Sequence, residues 1–298
     1  MKTRLLGLIA AGLLTTATAG HAADQPLTTE QVIKLTEGLK YQQGEITLPG
    51  GFAKLSVPTN FNYLGPDDAE TVLVKLWNNP PSKKKLLGLL MPADRTPLQR
   101  DCWVVTIDYV DDGFVKDDDA AKINYDDLLK KMQKGFQENN RIRTANGYPA
   151  LDLVGWAAPP RYDAATHKLY WAKELKVAGQ DWDTLNYDIR MLGRRGVLVL
   201  SAVAGMEQFD EIKEETPQIL GMVNFDQGSR YADFDPKVDK VATYGLAALV
   251  AGGVAAKLGF FKLIWVAILA LKKFIIIGVV AVTAWLKKLF GRNKSPAE

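Results

Sequence analysis

The chain has 298 residues, a formal net charge of +3 and one cysteine, Cys102. Residues 1–22 hold two of the basic charges, and residues 241–298 hold seven lysines and one arginine against Glu298 alone, so the middle of the chain is acidic, at −6. An acidic middle argues against nucleic acid as a partner, and a lone thiol excludes an intrachain disulfide; within CWVVTIDYV it is expected to be buried and inert.

Residues 1–22 read as a secretory signal. Lys2 and Arg4 form the basic start and LLGLIAAGLL the apolar centre, with Gly20 and Ala22 at the two positions a signal peptidase inspects. No cysteine lies near that cut, which excludes a lipid-modified N-terminus. Residues 23–240 are then an exported domain, long enough for a sizeable core.

Thr28 and Gln31 make a capping box that opens a helix over 29–43. EITLPGGFAKLSVP spells two alternating runs around Pro49-Gly50-Gly51, a hairpin. Pro66, followed by Asp67, Asp68 and Glu70, opens a second helix that reaches Trp77 and must stop before Pro80-Pro81. A strand is expected over 103–110, an acidic loop after it, and a helix over 125–139 capped by Asn124.

The second half is rich in strands. Runs at 150–157 and 169–177 flank the turn DAATHK, and Pro159-Pro160 is expected to form a rigid loop corner. Leu185, Tyr187, Ile189 and Met191 alternate with Asn186, Asp188 and Arg190, the pattern of a half-buried strand. VLVLSAVA is apolar on both faces and belongs near the centre of a sheet. A last helix covers 207–223, with a break expected near Pro217. The sum is an α+β fold: an antiparallel sheet of about six to eight strands with helices on a face or at its ends.

The C-terminal stretch has the composition of a membrane anchor over anionic lipid. Residues 241–258 form an apolar helix whose Ala248, Gly252 and Ala256 make a ridge for close helix packing. Residues 263–286 form the expected transmembrane span. Its fourteen Leu, Ile, Val and Phe residues favour insertion by about 6 kcal/mol, and Lys272 and Lys273 oppose it by about 5–7 kcal/mol. Trp265 and Trp285 stand about 30 Å apart on a helix, the hydrocarbon thickness. Lys287 and Lys288 continue the anchor into a basic cytoplasmic tail at 287–298. A hairpin of the two apolar segments is the alternative topology.

Candidate chemistry is sparse. After the signal only His167 remains, in a turn that reads as solvated, so neither a paired-histidine zinc site nor a histidine-based triad is supported. G-x-S-x-G, H-E-x-x-H, Walker A and G-x-G-x-x-G are absent from the sequence. Asp108, Asp111, Asp112, Asp117 and Asp119 are the candidate metal ligands. Measured against a calcium loop, Val110 falls at the third position and Asp119 at the twelfth, where a bidentate Glu belongs. A solvated turn is the plainer reading. Arg194-Arg195, between glycines at a hairpin tip, are the candidate anion-binding pair, against ordinary surface charge.

The runs GPDDAETVLVKLWNNPP, LLGLLMP, GFVKDDDAAKINYDDLL, PPRYD, LYWA, NYDIRMLGRRGVLVL and DKVATYGLAALVAGG together resemble the membrane-anchored family known as domain of unknown function 2167. The resemblance implies a bacterial envelope protein with a signal peptide and a C-terminal anchor. It carries no established activity and therefore no catalytic residues. The expectation is a non-enzymatic binding or scaffold module at the bacterial inner membrane. Its domain faces the periplasm, and its C-terminus is cytoplasmic. No cofactor is expected. Partners are anionic lipids of that membrane and a membrane protein or a second copy, not nucleic acid. An enzyme using carboxylates on an envelope polymer or lipid, and an accessory subunit of a membrane complex pairing through Lys272-Lys273, are the alternatives.

Overall fold

The computed structural model describes residues 27–82 and 84–251. Helix α1 (Thr29–Glu37) starts where the capping box places it: Gln31 N donates to Thr28 Oγ1 at 3.2 Å and Thr28 N to Gln31 Oε1 at 2.8 Å. It stops well short of residue 43, because Gln42 exchanges backbone hydrogen bonds of 2.9 and 2.8 Å with Tyr63. The hairpin β1 (Gly44–Thr47) and β2 (Ala53–Val57) follows, then β3 (Phe61–Leu64). Helix α2 (Pro66–Glu70) widens into a π-helical segment, Thr71–Leu76. Strands β4 (Gly88–Pro92) and β5 (Val104–Val110) lead to α3 (Tyr125–Ala145), where Asn124 accepts from Asp126 N and Asp127 N. This helix runs six residues past residue 139. Asn140 ties its extension to the next strand, accepting from Leu151 N at 2.8 Å.

Then come β6 (Leu151–Asp163), β7 (Lys168–Val177), β8 (Asp183–Leu192) and β9 (Val197–Gly205), helix α4 (Phe209–Met222), β10 (Val223–Phe225) and α5 (Leu246–Val250). Two sequence expectations about proline fail. Pro159-Pro160 lie inside β6, within a register shift between Ala158 and Arg161; an edge strand at a bulge can spare the missing N–H. Helix α4 continues through Pro217 unbroken.

The strands form one seven-stranded antiparallel sheet, order β3-β4-β5-β9-β8-β7-β6, and a three-stranded sheet, order β1-β2-β10. Strand β9 occupies the central position its two-faced apolarity implied. One face of the large sheet carries Trp103, Ile107, Leu185, Ile189, Leu198 and Leu200, packed with Leu55 and Val57 of the small sheet and Ile212 and Ile219 of α4. The other face carries two apolar clusters. Val32, Val72, Leu76, Leu89 and Val104 belong to one, and Met132, Leu153, Trp171, Val197 and Leu249 to the other.

Both faces of the sheet are therefore occupied, which overturns the half-buried reading of β8. Asn186 and Asp188 are each 1% exposed. Among the described residues no helix is long and apolar enough to cross a membrane; residues 263–286, Trp265, Lys272, Lys273, Trp285, Lys287 and Lys288 lie outside them.

Candidate functional site

The site is built where the acidic loop meets the last described stretch of chain. After β5, Phe114 N donates to Lys240 O and Ala242 N to Phe114 O, each at 2.8 Å, a parallel bridge that lays residues 240–242 along the loop. Gly113 is suited to this crossing: its φ is 109° and a Cβ there would meet Lys240 O at 2.6 Å. Tyr244 Oη then donates to Asp112 Oδ2 at 2.9 Å, and Leu246 N to Asp119 Oδ1 at 3.1 Å. Leu246, Leu249 and Val250 are buried with Met132 and Leu151. Residues 241–251, expected to begin a separate apolar helix, are thus part of the body. Ala248 is half-buried there, and Gly252 and Ala256 of the expected ridge lie outside the described residues.

The candidate metal ligands are spread rather than gathered. Asp108 is on β5, pairs with Lys84 Nζ at 2.8 Å and accepts from Tyr109 N at 2.7 Å. Asp111 is exposed, while Asp112 and Asp119 serve the bonds just described. Asp117 faces a different group again. Among the described residues no three His, Cys, Asp or Glu side chains come together as a metal site. Bends at Gly113 and at the turn into residues 120–122 carry the carboxylates to different partners, which a count of aspartates does not reveal.

Asp117 belongs to a cluster the sequence did not suggest. Tyr162 Oη donates to its Oδ2 at 2.6 Å. His167 Nδ1 lies 3.1 Å from Tyr162 Oη and 3.4 Å from the same carboxylate. The imidazole stacks on Tyr231 at 3.9 Å between ring centres. The DAATHK turn places it: Asp163 accepts from Ala165 N and Thr166 Oγ1, and His167 takes a φ of 52°. Burial, then the bond to Asp117, pushes the Tyr162 hydroxyl far up. For Asp117 burial acts upward, but the Tyr162 and Tyr231 hydroxyls outweigh it and hold the carboxyl below its ordinary range. His167 is therefore packed against Tyr162 and Tyr231 on one side, with its side chain still 31% exposed.

The arginine pair is also engaged internally. Arg194 Nε donates to Asp239 Oδ2 at 2.6 Å and Arg195 Nε to Oδ1 at 3.3 Å. Asp239 also accepts from Asp235 N at 2.8 Å. Its side chain is 1% exposed, and the Arg194 bond leads the interactions that bring its pKa down to about 2. Arg195 keeps an exposed guanidinium.

A second polar group crosses the large sheet. Trp171, Asp188, Ser201 and Thr106 form one row across β7, β8, β9 and β5. Asp188 meets Lys173 Nζ at 2.8 Å, Arg190 Nη2 at 3.2 Å and Ser201 Oγ at 2.6 Å. Arg190 lies over the Trp171 ring, 4.9 Å from its centre. Burial would raise the Asp188 carboxyl, but Lys173 and Arg190 outweigh it and hold it low and ionised. Such a closed joint binds strands, its carboxylate satisfied by Lys173, Arg190 and Ser201. The signal in the sequence was the polar side of β8 next to a strand apolar on both faces.

At the opposite edge a cavity of about 460 Å³ is lined by Asn60, Phe61, Arg95, Trp103, Glu211 and Glu215 among others. Arg95 Nη2 and Trp103 Nε1 both reach Glu211 Oε1, at 2.8 and 2.9 Å. The hollow is half open to solvent, and its Arg95 and Glu211 are paired with each other.

The family model described as "Protein of unknown function (DUF2167)" matches residues 40–283. The chain belongs to that family. The match spans the acidic loop, the docked 240–251 stretch and most of the apolar tail. No curated protein sequence matches the chain. Among solved structures, cyanobacterial PsbP (CyanoP) from Synechocystis sp. PCC 6803 is similar at TM-score 0.34 and 11% identity, covering 63% of this chain and 92% of that one. A mutant of the protein Mog1 gives 0.29 and 10% identity, covering 62% and 95%. The Saccharomyces cerevisiae Ran-binding protein Mog1p gives 0.26 and 12%, covering 62% and 85%. Similarities this loose carry no conclusion about this chain.

Proposed function

We propose that this member of the family is a non-enzymatic binding module of the bacterial cell envelope. Its α+β body faces the periplasm after export, and the basic apolar segment at 263–286 holds it at the inner membrane with 287–298 in the cytoplasm. The observation that carries the reading is the clasp on residues 240–246, where four hydrogen bonds fix the chain to the acidic loop and α5 is buried just before the basic apolar sequence begins. A trailing linker needs no such joint; these bonds make residues 240–250 part of the folded body that precedes the basic apolar sequence.

The test is fractionation of the full-length protein in a bacterial host. Retention in membranes after alkaline wash, digestion of the body by protease added to spheroplasts, and cytoplasmic activity of a reporter fused after Glu298 are the expected results. Recovery in the soluble fraction, or a body protected in spheroplasts, overturns the reading.

A further inference from the structure

Residues 235–241 form a loop in which the apolar side chain is outside and the acid is inside. Val238 is 72% exposed, the most exposed large apolar side chain among the described residues. Asp239, next to it, turns its carboxylate inward to Arg194, Arg195 and Asp235 N. Asp235 Oδ1 accepts from Lys237 N at 2.9 Å, closing the turn. One exposed valine is ordinary on any surface. This one stands between Lys237 and Lys240, both exposed, with Val241 38% exposed beyond them. The Arg195 side chain, 66% exposed, is held to the same loop through Asp239. Across loop and turn there are four basic side chains and two carboxylates, and both carboxylates are occupied by donors of the loop and turn. The docked stretch that leads into the basic apolar sequence begins at once after this loop.

We propose that the 235–241 loop, with the Arg194-Arg195 turn, is an interfacial contact that seats the body on an anionic lipid surface. Val238 enters the headgroup region, and Lys237, Lys240 and Arg195 meet lipid phosphates. Asp239 is a positioning residue that turns this rim outward. The proposal rests on the anchored reading above and names the partner of that end of the body.

The test uses full-length protein carrying Val238→Cys, labelled with an environment-sensitive fluorophore; Cys102 is buried and stays unlabelled. A matched Lys213→Cys protein carries the label on the exposed side of α4. Both are reconstituted into vesicles of phosphatidylcholine with or without phosphatidylglycerol. The expected result is a blue-shifted label at 238, quenched several-fold more than the control by a headgroup-level nitroxide lipid, in the anionic vesicles. Lys237→Gln with Lys240→Gln, or raised salt, should remove most of that difference. A label at 238 as water-exposed as the control in retained, anionic vesicles overturns the lipid contact while leaving the anchor intact. Protein that washes out of the vesicles overturns the anchored reading and the contact with it.

Discussion

Two groups of buried or half-buried aspartates use the same chemistry to opposite ends. Asp188 sits under the large sheet between Lys173 and Arg190, compensated by cations on its own and the neighbouring strand. Asp112, Asp117 and Asp119 lie at a half-exposed seam and take their bonds from tyrosine hydroxyls and a backbone N–H. The first arrangement ties strands that are already paired. The second ties the acidic loop to β6 through Asp117 and to the late stretch of chain through Asp112 and Asp119, and neutral donors let such a seam open without leaving a cation stranded in a dry interior.

The largest effect is expected at the first group. Asp188→Ala leaves Lys173 and Arg190 facing each other without an anion, and unfolding free energy should fall by about 3–5 kcal/mol in urea titrations. A loss no larger than that of an exposed aspartate would remove the distinction between the two groups. Next comes the seam: Asp119→Ala strands the N–H of Leu246, at a cost of about 1–3 kcal/mol. It should appear mainly as faster hydrogen exchange across 241–250, with the β8 and β9 amides unchanged. Gly245→Ala should do the same by another route, since its Cβ would fall 2.4 Å from Asp119 Oδ2.

A pH test separates the loop carboxylate Asp239 from both. Its folded pKa, about 2, lies below the ordinary aspartate value near 4. Its stabilisation is therefore present above about pH 4 and is lost as pH falls from there toward 2. The melting-temperature gap between the native protein and Asp239→Asn should be full at neutral pH and close across that window. The smallest effect concerns Cys102. Burial pushes its thiol up to about 12, so labelling of the folded protein should be negligible until denaturant is added. Rapid native labelling would mean that the cluster around α1 and β4 opens locally.

Much of the fold was legible along the chain because its signals are local. The Thr28–Gln31 box, Asn124, the Pro49-Gly50-Gly51 turn and the two-faced apolarity of β9 each act within a few residues, and each does in the structure what its chemistry implies. The failures occur where a distant partner intervenes. Tyr63 ended α1 early, the bulged edge position of β6 admitted Pro159-Pro160, and the covering of the second sheet face buried Asn186 and Asp188. The candidate site was half legible: the acidic loop and the arginine pair stood out as charges, but their partners did not. Asp239, Tyr244 and His167 lie far off in sequence or inside an unremarkable turn.

The sequence by itself determined the α+β composition of strands and helices, the acidic body set against a basic apolar end, and membership of the family. Tertiary structure alone decided that the acidic residues serve as hydrogen-bond acceptors for the chain's own later segments. The physical reason is that charge and periodicity are properties of neighbours along the chain, whereas a carboxylate's role is set by which donor, more than a hundred residues away in the case of Asp112 and Tyr244, folding brings within 3 Å of it.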